Sequence, residues 1–234
     1  MLETLQQNLM FVVVTVVIVA LIALASKISE RFFRDLHKVS RTRRMCIIAI
    51  CGAIAAVLHM LDFPLLFLAP EFYKLDFSEL PVMLCGFYLG PSATIVCEFL
   101  KILLKLLLKG TSTAFIGDFA NFVVGCSLVL PAAIIYHIRK SKATALAGLG
   151  VGTLCLTVFG SLFNAVYLLP AFARFYGMPM EAIIGAGNAI NGSITGISSF
   201  VLLAVAPLNL IKGCAVSVLT LLLYKRVARP LFGK

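Results

Sequence analysis

The sequence predicts an all-α integral membrane protein, with a core of six helices preceded by one extra N-terminal transmembrane helix. The chain is 61% hydrophobic and only 13% charged, which leaves too little polar surface for a soluble domain of 234 residues. Several apolar runs approach the roughly 20 residues needed to cross a bilayer. The net charge of +10 is collected in short clusters between those runs. The positive-inside rule expects that distribution, and it argues against a nucleic-acid partner.

Residues 1–44 are predicted to form the extra transmembrane helix and a basic cytoplasmic linker. The apolar run 9–25 has no basic residue before it, and seven basic residues follow it within 27–44. This order is typical of a retained span whose N-terminus lies outside, and differs from a secretory signal peptide. We expect part of the linker to lie as a helix along the membrane surface.

The six-helix core is predicted over residues 45–228, with a cytoplasmic tail at 229–234. Its first helix, 45–61, leads to an outer loop, 62–79, which contains four acids but is otherwise rich in aromatic and apolar residues. We therefore expect this loop to pack on the protein. The next spans are expected at residues 80–89, 92–108, 117–136 and 145–169. The last span is expected to begin near Pro207, which suits the first turn of a helix, and to end at 224.

The basic residues decide on which side residues 170–205 lie. If that segment crossed the membrane, the basic tail would lie outside. With the segment kept on the outer side, 14 of the 20 lysines and arginines fall in cytoplasmic segments and three in outer loops. Such a bias is strong positive-inside evidence. We therefore place 170–205 outside, with 182–205 either re-entrant or helical.

Three polar side chains are predicted at a similar depth near the outer leaflet. Asn209 and Lys212 lie three residues apart and share one helix face, and Asn164 precedes the outer end of the span before them. Two amides and an ammonium suit a planar, uncharged ligand edge that alternates carbonyl oxygens with N–H groups. The alternative is that Lys212 reaches the interface and the asparagines join helices.

A second polar set runs along the helix predicted at 92–108 and into the first residue of the turn that follows it. Three lysines recur every four residues there: Lys101, Lys105 and Lys109. Glu98 precedes the first by one turn, and an ion pair at this spacing would lower the cost of both charges in the membrane. Asp118 and Asn121 open the next span and could partner the lysines. The simplest interpretation is a polar seam between helices from which the lysines extend outward.

Signals for catalysis and metal binding are missing from the sequence. The three histidines are dispersed, and there is no HExxH, GxSxG or phosphate-binding glycine loop. The seven cysteines show no CxxC spacing and are best interpreted as small apolar residues. We therefore expect neither an enzyme nor a protein with a metal or cofactor, and an ATP-driven transporter would need a separate ATPase.

Five motifs occur in an order that resembles one family. They are KLDFSELP (74–81), LGP (89–91), KGTSTAFIGDFANFVVG (109–125), FNAVYLLP (163–170) and APLNLIKG (206–213). Across about residues 45–228 the chain resembles the riboflavin-specific S component of energy-coupling factor (ECF) vitamin transporters. The resemblance implies a subunit of a prokaryotic plasma membrane that captures riboflavin from outside and docks on a transmembrane T subunit with two ABC-type ATPases. The alternative is an S component for another flat vitamin or nucleobase-like compound.

The resemblance also assigns residues to roles. The flavin ring would be held by Asn164, Asn209 and Lys212, the set already selected by depth and chemistry. The ribityl chain would contact Leu75, Asp76, Phe77 and Ser78, and we add Asn121 to the candidate binding residues. The T subunit would contact Ala49 and Ala53, whose small-xxx-small spacing permits close approach of helices. A membrane enzyme is less favoured because no nucleophile or metal set is found, and a self-sufficient secondary transporter because the chain shows no matching halves and a six-helix core is small for one. A purely structural membrane protein would leave the polar trio unexplained.

Overall fold

The computed structural model describes residues 2–31, 33, 39–111, 115–177 and 179–232. Within these residues the first half of the chain forms α1 (Leu2–Arg31), α2 (Arg41–Met60), α3 (Glu79–Leu89), α4 (Pro91–Lys109), α5 (Ile116–Arg139) and α6 (Lys142–Phe163). The remainder forms α7 (Leu169–Tyr176), α8 (Met180–Asn188), α9 (Ile197–Phe200) and α10 (Ala206–Phe232). Strands β1 (Phe63–Pro64) and β2 (Lys74–Leu75) pair antiparallel in the hairpin loop, residues 62–78.

The predicted six-helix core is confirmed. Four helices are long and apolar enough to cross a membrane: Arg41–Met60, Ile116–Arg139, Lys142–Arg174 and Ile197–Tyr224. The short apolar helix α3 and the more charged α4 lie between the first and second of these and complete the six. Helix α1 packs through Ile18, Val19 and Ile22 against a cluster from α4 and α5. We propose that α1 is the additional transmembrane helix.

The last core helix begins at Ile197, and the predicted start near Pro207 is wrong. Proline lacks an N–H, and its ring crowds the carbonyl four residues earlier. Here a π-helical turn, Val201–Val205, precedes the proline, and the Ala206 N–H bonds to the Val201 carbonyl five residues back. The helix therefore continues through Pro207. The segment left open at 182–205 is helical in α8 and again from Ile197 onward.

The preceding helix also contains a π-helical turn before a proline. A second π-helical turn, Asn164–Leu168, connects α6 to α7 just before Pro170, and the Leu169 N–H bonds to the Asn164 carbonyl. The helix consequently runs past its predicted end at residue 169 to Tyr176. Single π turns inside α-helices are often found at functional sites, and Asn164 occupies the first position of this one.

Helices α1 and α10 extend into the segments predicted as linker and tail. Residues 27–31 continue α1 and residues 41–44 begin α2, so no separate surface helix occurs in the described part of the linker; residues 32 and 34–38 lie outside it. Helix α10 runs to Phe232, so residues 229–232 of the predicted tail are helical. The predicted outer turn 109–113 is described only as far as residue 111.

The basic segments gather at one end of the bundle. Arg44 pairs with Glu30 at 2.8 Å, and Glu30 also accepts a hydrogen bond from Ser92 beside the α3–α4 turn. At the same end the hydroxyls of Tyr136 on α5 and Tyr224 on α10 are 2.6 Å apart. The hairpin loop lies at the opposite end. This arrangement agrees with the alternation of basic and outer segments expected from the sequence.

The hairpin loop packs on the bundle, as its composition predicted. Ala69 and Tyr73 are buried in a cluster with Leu169 from α7 and Phe200 from α9. Tyr73 also lies against Phe72 and Phe200, with ring centroids 5.0 and 6.0 Å away. The loop therefore covers the space between the outer ends of the helices.

The sidedness of the two ends can be tested by cysteine labelling. Ser40 and Glu71 are both exposed, at opposite ends of the bundle. In a background without native cysteines, we expect a membrane-impermeant maleimide on intact cells to label Glu71→Cys and to spare Ser40→Cys. Permeabilised cells should show labelling at both positions, which controls for reactivity. Labelling of intact cells at position 40 alone would reverse the topology.

Candidate functional site

A cavity of about 470 Å³ lies beneath the hairpin loop. Its size falls within the range of about 300–1,000 Å³ that is typical of small-molecule sites. Its polar wall is formed by His59, Asp62, Tyr73, Lys74, Asp76, Lys105, Asp118, Asn121, Asn164, Asn209 and Lys212. Its apolar wall includes Phe72, Ala120, Val124, Leu168, Phe172, Ile183 and Leu208. Five of the eight predicted binding residues therefore line one cavity: Asp76, Asn121, Asn164, Asn209 and Lys212.

The two asparagines meet at Gly160 on α6. The Asn164 Nδ2 donates to the Gly160 carbonyl at 2.7 Å. A Cβ atom placed on Gly160 would lie 2.9 Å from Asn209 Nδ2, so the glycine allows the amide from α10 to approach α6 closely. Asn164 and Asn209, which were predicted to lie at a similar depth, therefore lie close together.

Asn209 provides a donor without a partner. Its side chain is 8% exposed, and its Nδ2 is buried with no hydrogen-bond partner among the described residues. A buried unsatisfied donor costs about 1–3 kcal/mol. A carbonyl oxygen or ring nitrogen of a bound molecule would remove that cost, because Asn209 lines the cavity.

Lys212 is held inside the protein by two carboxylates. Its Nζ lies 3.1 Å from Asp76 Oδ2 and 3.0 Å from Glu79 Oε1. Its side chain is only 12% exposed, so the alternative in which this lysine extends to the interface is wrong. The ammonium instead joins α10 to the hairpin loop and α3, at the edge of the cavity.

Asp76 is the most buried of the three charged residues that the hairpin loop contributes to the cavity wall. Burial acts to raise the pKa of this loop carboxyl, but the positive charge of Lys212 and the contact with His59 hold it well below its usual range. The His59 Nδ1 lies 3.4 Å from Asp76 Oδ2, and the other carboxylate oxygen accepts the Ser78 N–H at 2.8 Å. Asp76 is therefore an ionised acceptor fixed at the cavity wall.

The lysine series on α4 forms ion pairs. Lys101 Nζ lies 2.5 Å from Glu98 Oε1, which confirms the predicted i,i+3 pair, and 3.4 Å from Glu79 Oε1. Its side chain is fully buried, so the interpretation that it extends outward is wrong. The reason is that α3 supplies a second carboxylate, which the spacing along α4 could not reveal. Together with Lys212 and Asp76, these groups form a continuous buried charge network.

The other two lysines of the series pair nearer the outer end. Lys105 Nζ lies 2.6 Å from Asp118 Oδ1, as the sequence suggested. Lys109 Nζ lies 3.6 Å from Asp62 Oδ1 and is 47% exposed, so it does extend outward. Asn121 donates to the Gly117 carbonyl at 3.0 Å, which leaves it on the cavity wall without joining the lysines.

Alternation in the extended segment after the hairpin sorts the loop residues predicted to contact a ligand. Successive side chains of an extended strand point to opposite sides, and Lys74 and Asp76 line the cavity. Leu75 is 3% exposed and Phe77 packs on the core cluster between α2 and α6. Alternation does not apply to Ser78, which has helical backbone angles at the start of α3. Ser78 is fully buried and accepts a hydrogen bond from Lys101 at 3.1 Å. The geometry places these three beside and behind Asp76, away from the cavity lining.

Tyr73 is a site residue that the sequence analysis missed. Its hydroxyl donates to Asn164 Oδ1 at 2.7 Å, and the tyrosine lines the cavity. The only sequence signal was the aromatic character of the loop 62–79. The two residues are 91 positions apart, so no local pattern could have paired them.

The two small-residue pairs of α2 face in different directions. Gly52 and Ala56 are buried, and a Cβ on Gly52 would lie 2.7 Å from Leu100 Cδ2 on α4. Ala49 and Ala53 are exposed beside the exposed Ile50 and Ile54. One stripe therefore packs inside the bundle, while the other forms an outward apolar face.

Comparisons with known proteins agree on one family. The family model for the substrate-specific component of ECF transporters matches residues 43–224. The riboflavin transporter RibU of Staphylococcus aureus is 34% identical over 190 residues, which cover 81% of this chain and 93% of that protein. The riboflavin transporter FmnP of Bacillus subtilis is 29% identical over 185 residues, 79% of this chain and 91% of that protein. A solved S component of a bacterial ECF transporter matches with a TM-score of 0.63 and 33% identity, covering 81% of this chain and 98% of its own.

Proposed function

Because the chain belongs to the family of substrate-specific components of ECF transporters, we propose that it captures riboflavin at the outer face of the membrane. It is a multi-pass protein of the bacterial plasma membrane, and the proposed domain boundaries are 1–44 for the additional helix and linker, 45–228 for the binding domain and 229–234 for the tail. One observation carries the choice of ligand site. The cavity is lined by Asn209, whose amide Nδ2 has no hydrogen-bond partner among the described residues, and by Asn164 and Lys212 beside it.

The chemistry of this wall suits the flavin ring system. The pyrimidine edge of a flavin is neutral and alternates carbonyl oxygens with nitrogen atoms. An asparagine amide can donate and accept, whereas a lysine only donates. We assign the ring edge to Asn164, Asn209 and Lys212, and the ring faces to apolar residues such as Leu168 and Leu208.

The ribityl chain is assigned to the polar residues Asp76 and Asn121, of which Asp76 adjoins Lys212. Its hydroxyls can donate to the ionised Asp76 and bond to Asn121, both of which line the cavity. The predicted contacts from Leu75, Phe77 and Ser78 are replaced by an indirect role. These three residues hold the segment that carries Asp76, through packing and through the bond from Lys101 to Ser78.

Riboflavin titration tests the ligand assignment. The purified protein should quench flavin fluorescence saturably, with one site per chain. Asn209→Leu removes the unpartnered amide at similar volume and should weaken that binding, whereas Leu154→Ala, on the exposed face of α6, should not. Saturable binding of a nucleobase without binding of riboflavin would favour an S component for another flat compound.

Transport would require partners that this chain does not contain. We propose that the exposed face of α2 around Ala49 and Ala53 docks on a transmembrane T subunit, which acts with two ABC-type ATPases. Small side chains permit close contact between helices in a bilayer. Within the described residues of this chain, both alanines are exposed, so the stripe is available to another protein.

A bulky substitution separates docking from binding. We expect Ala53→Leu to leave riboflavin affinity unchanged and to reduce uptake by cells, because the added side chain prevents close helix contact. Ala147→Leu is the matched control. Ala147 is also exposed, and it lies near the start of α6, away from α2. Loss of riboflavin binding by a correctly folded Ala53→Leu protein would contradict the assignment, and so would equal uptake by both variants.

A further inference from the structure

The hairpin loop makes a direct hydrogen bond to a proposed ligand-binding side chain. The Tyr73 hydroxyl donates to Asn164 Oδ1 at 2.7 Å. The backbone N–H of Tyr73 bonds to the Pro70 carbonyl at 2.9 Å, and the ring is 9% exposed in the cluster with Ala69, Leu169 and Phe200. A turn and a packed ring therefore fix the position from which the hydroxyl reaches Asn164.

The bonds of the Asn164 amide determine what it offers to the cavity. An asparagine side chain has two N–H donors and an oxygen with two lone pairs. One N–H is used by the Gly160 carbonyl at 2.7 Å, and one lone pair by Tyr73. Rotation of the amide by 180° would place its oxygen against the Gly160 carbonyl, where no hydrogen is available. Among the described residues, these contacts leave one N–H and one lone pair of the amide for a ligand, on a residue that lines the cavity.

We infer that Tyr73 is a positioning residue for ligand capture, whose hydroxyl holds the Asn164 amide with this donor–acceptor pair directed at the ligand. The inference rests on the proposed function. The donor and acceptor of Asn164 match a ligand edge in which a carbonyl oxygen lies next to a ring N–H, as in the imide of a flavin. Since Tyr73 belongs to the loop that covers the cavity, the loop holds the oxygen side of the amide while Gly160 holds its nitrogen side. The position of the loop and the orientation of the binding group are therefore linked through one hydrogen bond.

The test is a double-mutant cycle on riboflavin affinity. Tyr73→Phe keeps the ring and its packing and removes only the hydroxyl. We expect it to weaken binding about 5-fold, the effect of losing one neutral hydrogen bond. In an Asn164→Ala background the same substitution should change the affinity by less than about 2-fold, because the two side chains act as a unit. A role in packing alone would give the same factor in both backgrounds.

Two controls keep the outcomes distinct. Tyr136→Phe removes a comparable hydroxyl, bonded to Tyr224 at the far end of the bundle, and should leave affinity unchanged. In ligand-free protein labelled with 15N-asparagine, the side-chain resonance of Asn164 should shift in Tyr73→Phe and stay in place in Tyr136→Phe. If the wild type binds riboflavin and Tyr73→Phe binds equally well, or if the Asn164 resonance does not move, the inference is overturned and the proposed function stands. If the wild type binds no riboflavin, the proposed function itself fails.

Discussion

Lys101→Met is expected to destabilise the protein by about 3–5 kcal/mol, the usual cost of leaving a buried charge without its partner. Lys101 is fully buried and is the closest cation to Glu98, with 2.5 Å between Nζ and Oε1. It also contacts Glu79 and Ser78. Methionine has nearly the same shape, so the loss reports the charge rather than a cavity. The free energy of unfolding in detergent, followed by circular dichroism, measures the effect.

Two further variants determine how that result is interpreted. The double variant Lys101→Met with Glu98→Gln removes both charges and should recover much of the loss, because a neutral pair needs no counter-ion. Lys74→Met removes a lysine whose side chain is 43% exposed and 3.5 Å from Asp62, and should cost less than about 1 kcal/mol. Equal losses in Lys101→Met and Lys74→Met would mean that the network adds nothing to stability.

The helical layout followed from local properties of the sequence. Lengths of apolar runs, turn residues and clusters of basic residues placed the six core helices, because each signal depends on neighbours along the chain. The pair between Glu98 and Lys101 was predictable for the same reason, since helix periodicity alone brings the two together. Helix periodicity also predicted that Asn209 and Lys212 share one helix face.

The errors came from contacts between distant segments. Pro207 suggested a helix start, but a π turn before the proline keeps the helix continuous. Lys101 was expected to extend outward because Glu79, on another helix, was not visible as a partner. The bond from Tyr73 to Asn164 joins a loop to a helix far along the chain. No periodicity encodes such contacts.

The buried network extends from the cavity into the bundle through one carboxylate. Glu79 Oε1 lies 3.0 Å from Lys212 and 3.4 Å from Lys101. A ligand that draws the Lys212 ammonium toward itself would leave Lys101 as the main partner of Glu79. In the proposed binding mode, Lys212 therefore connects the ligand to the charges of the bundle, and we expect its replacement to have the largest effect on affinity.

Lys212→Ala is expected to weaken riboflavin binding by roughly 10- to 150-fold. Riboflavin has a neutral ring system, so in the proposed binding mode the ammonium would act by donating to a carbonyl oxygen. A hydrogen bond to a charged group contributes about 1.5–3 kcal/mol, and each 1.4 kcal/mol is about tenfold in affinity. Lys212→Arg should restore binding only in part, because a planar guanidinium does not fit where Asp76 and Glu79 enclose a compact ammonium.

Lys109→Ala is the matched control for this measurement. Lys109 is 47% exposed, pairs with Asp62 and lies outside the cavity lining, so its loss should leave affinity unchanged. Quenching of flavin fluorescence, titrated for wild type and the three variants, gives the affinities, and size-exclusion profiles in detergent confirm that each variant is folded. A folded Lys212→Ala protein with the affinity of the wild type would remove Lys212 from the binding site. The lysine would then serve only to neutralise Asp76 and Glu79, and Asn164 and Asn209 would have to hold the ring edge alone.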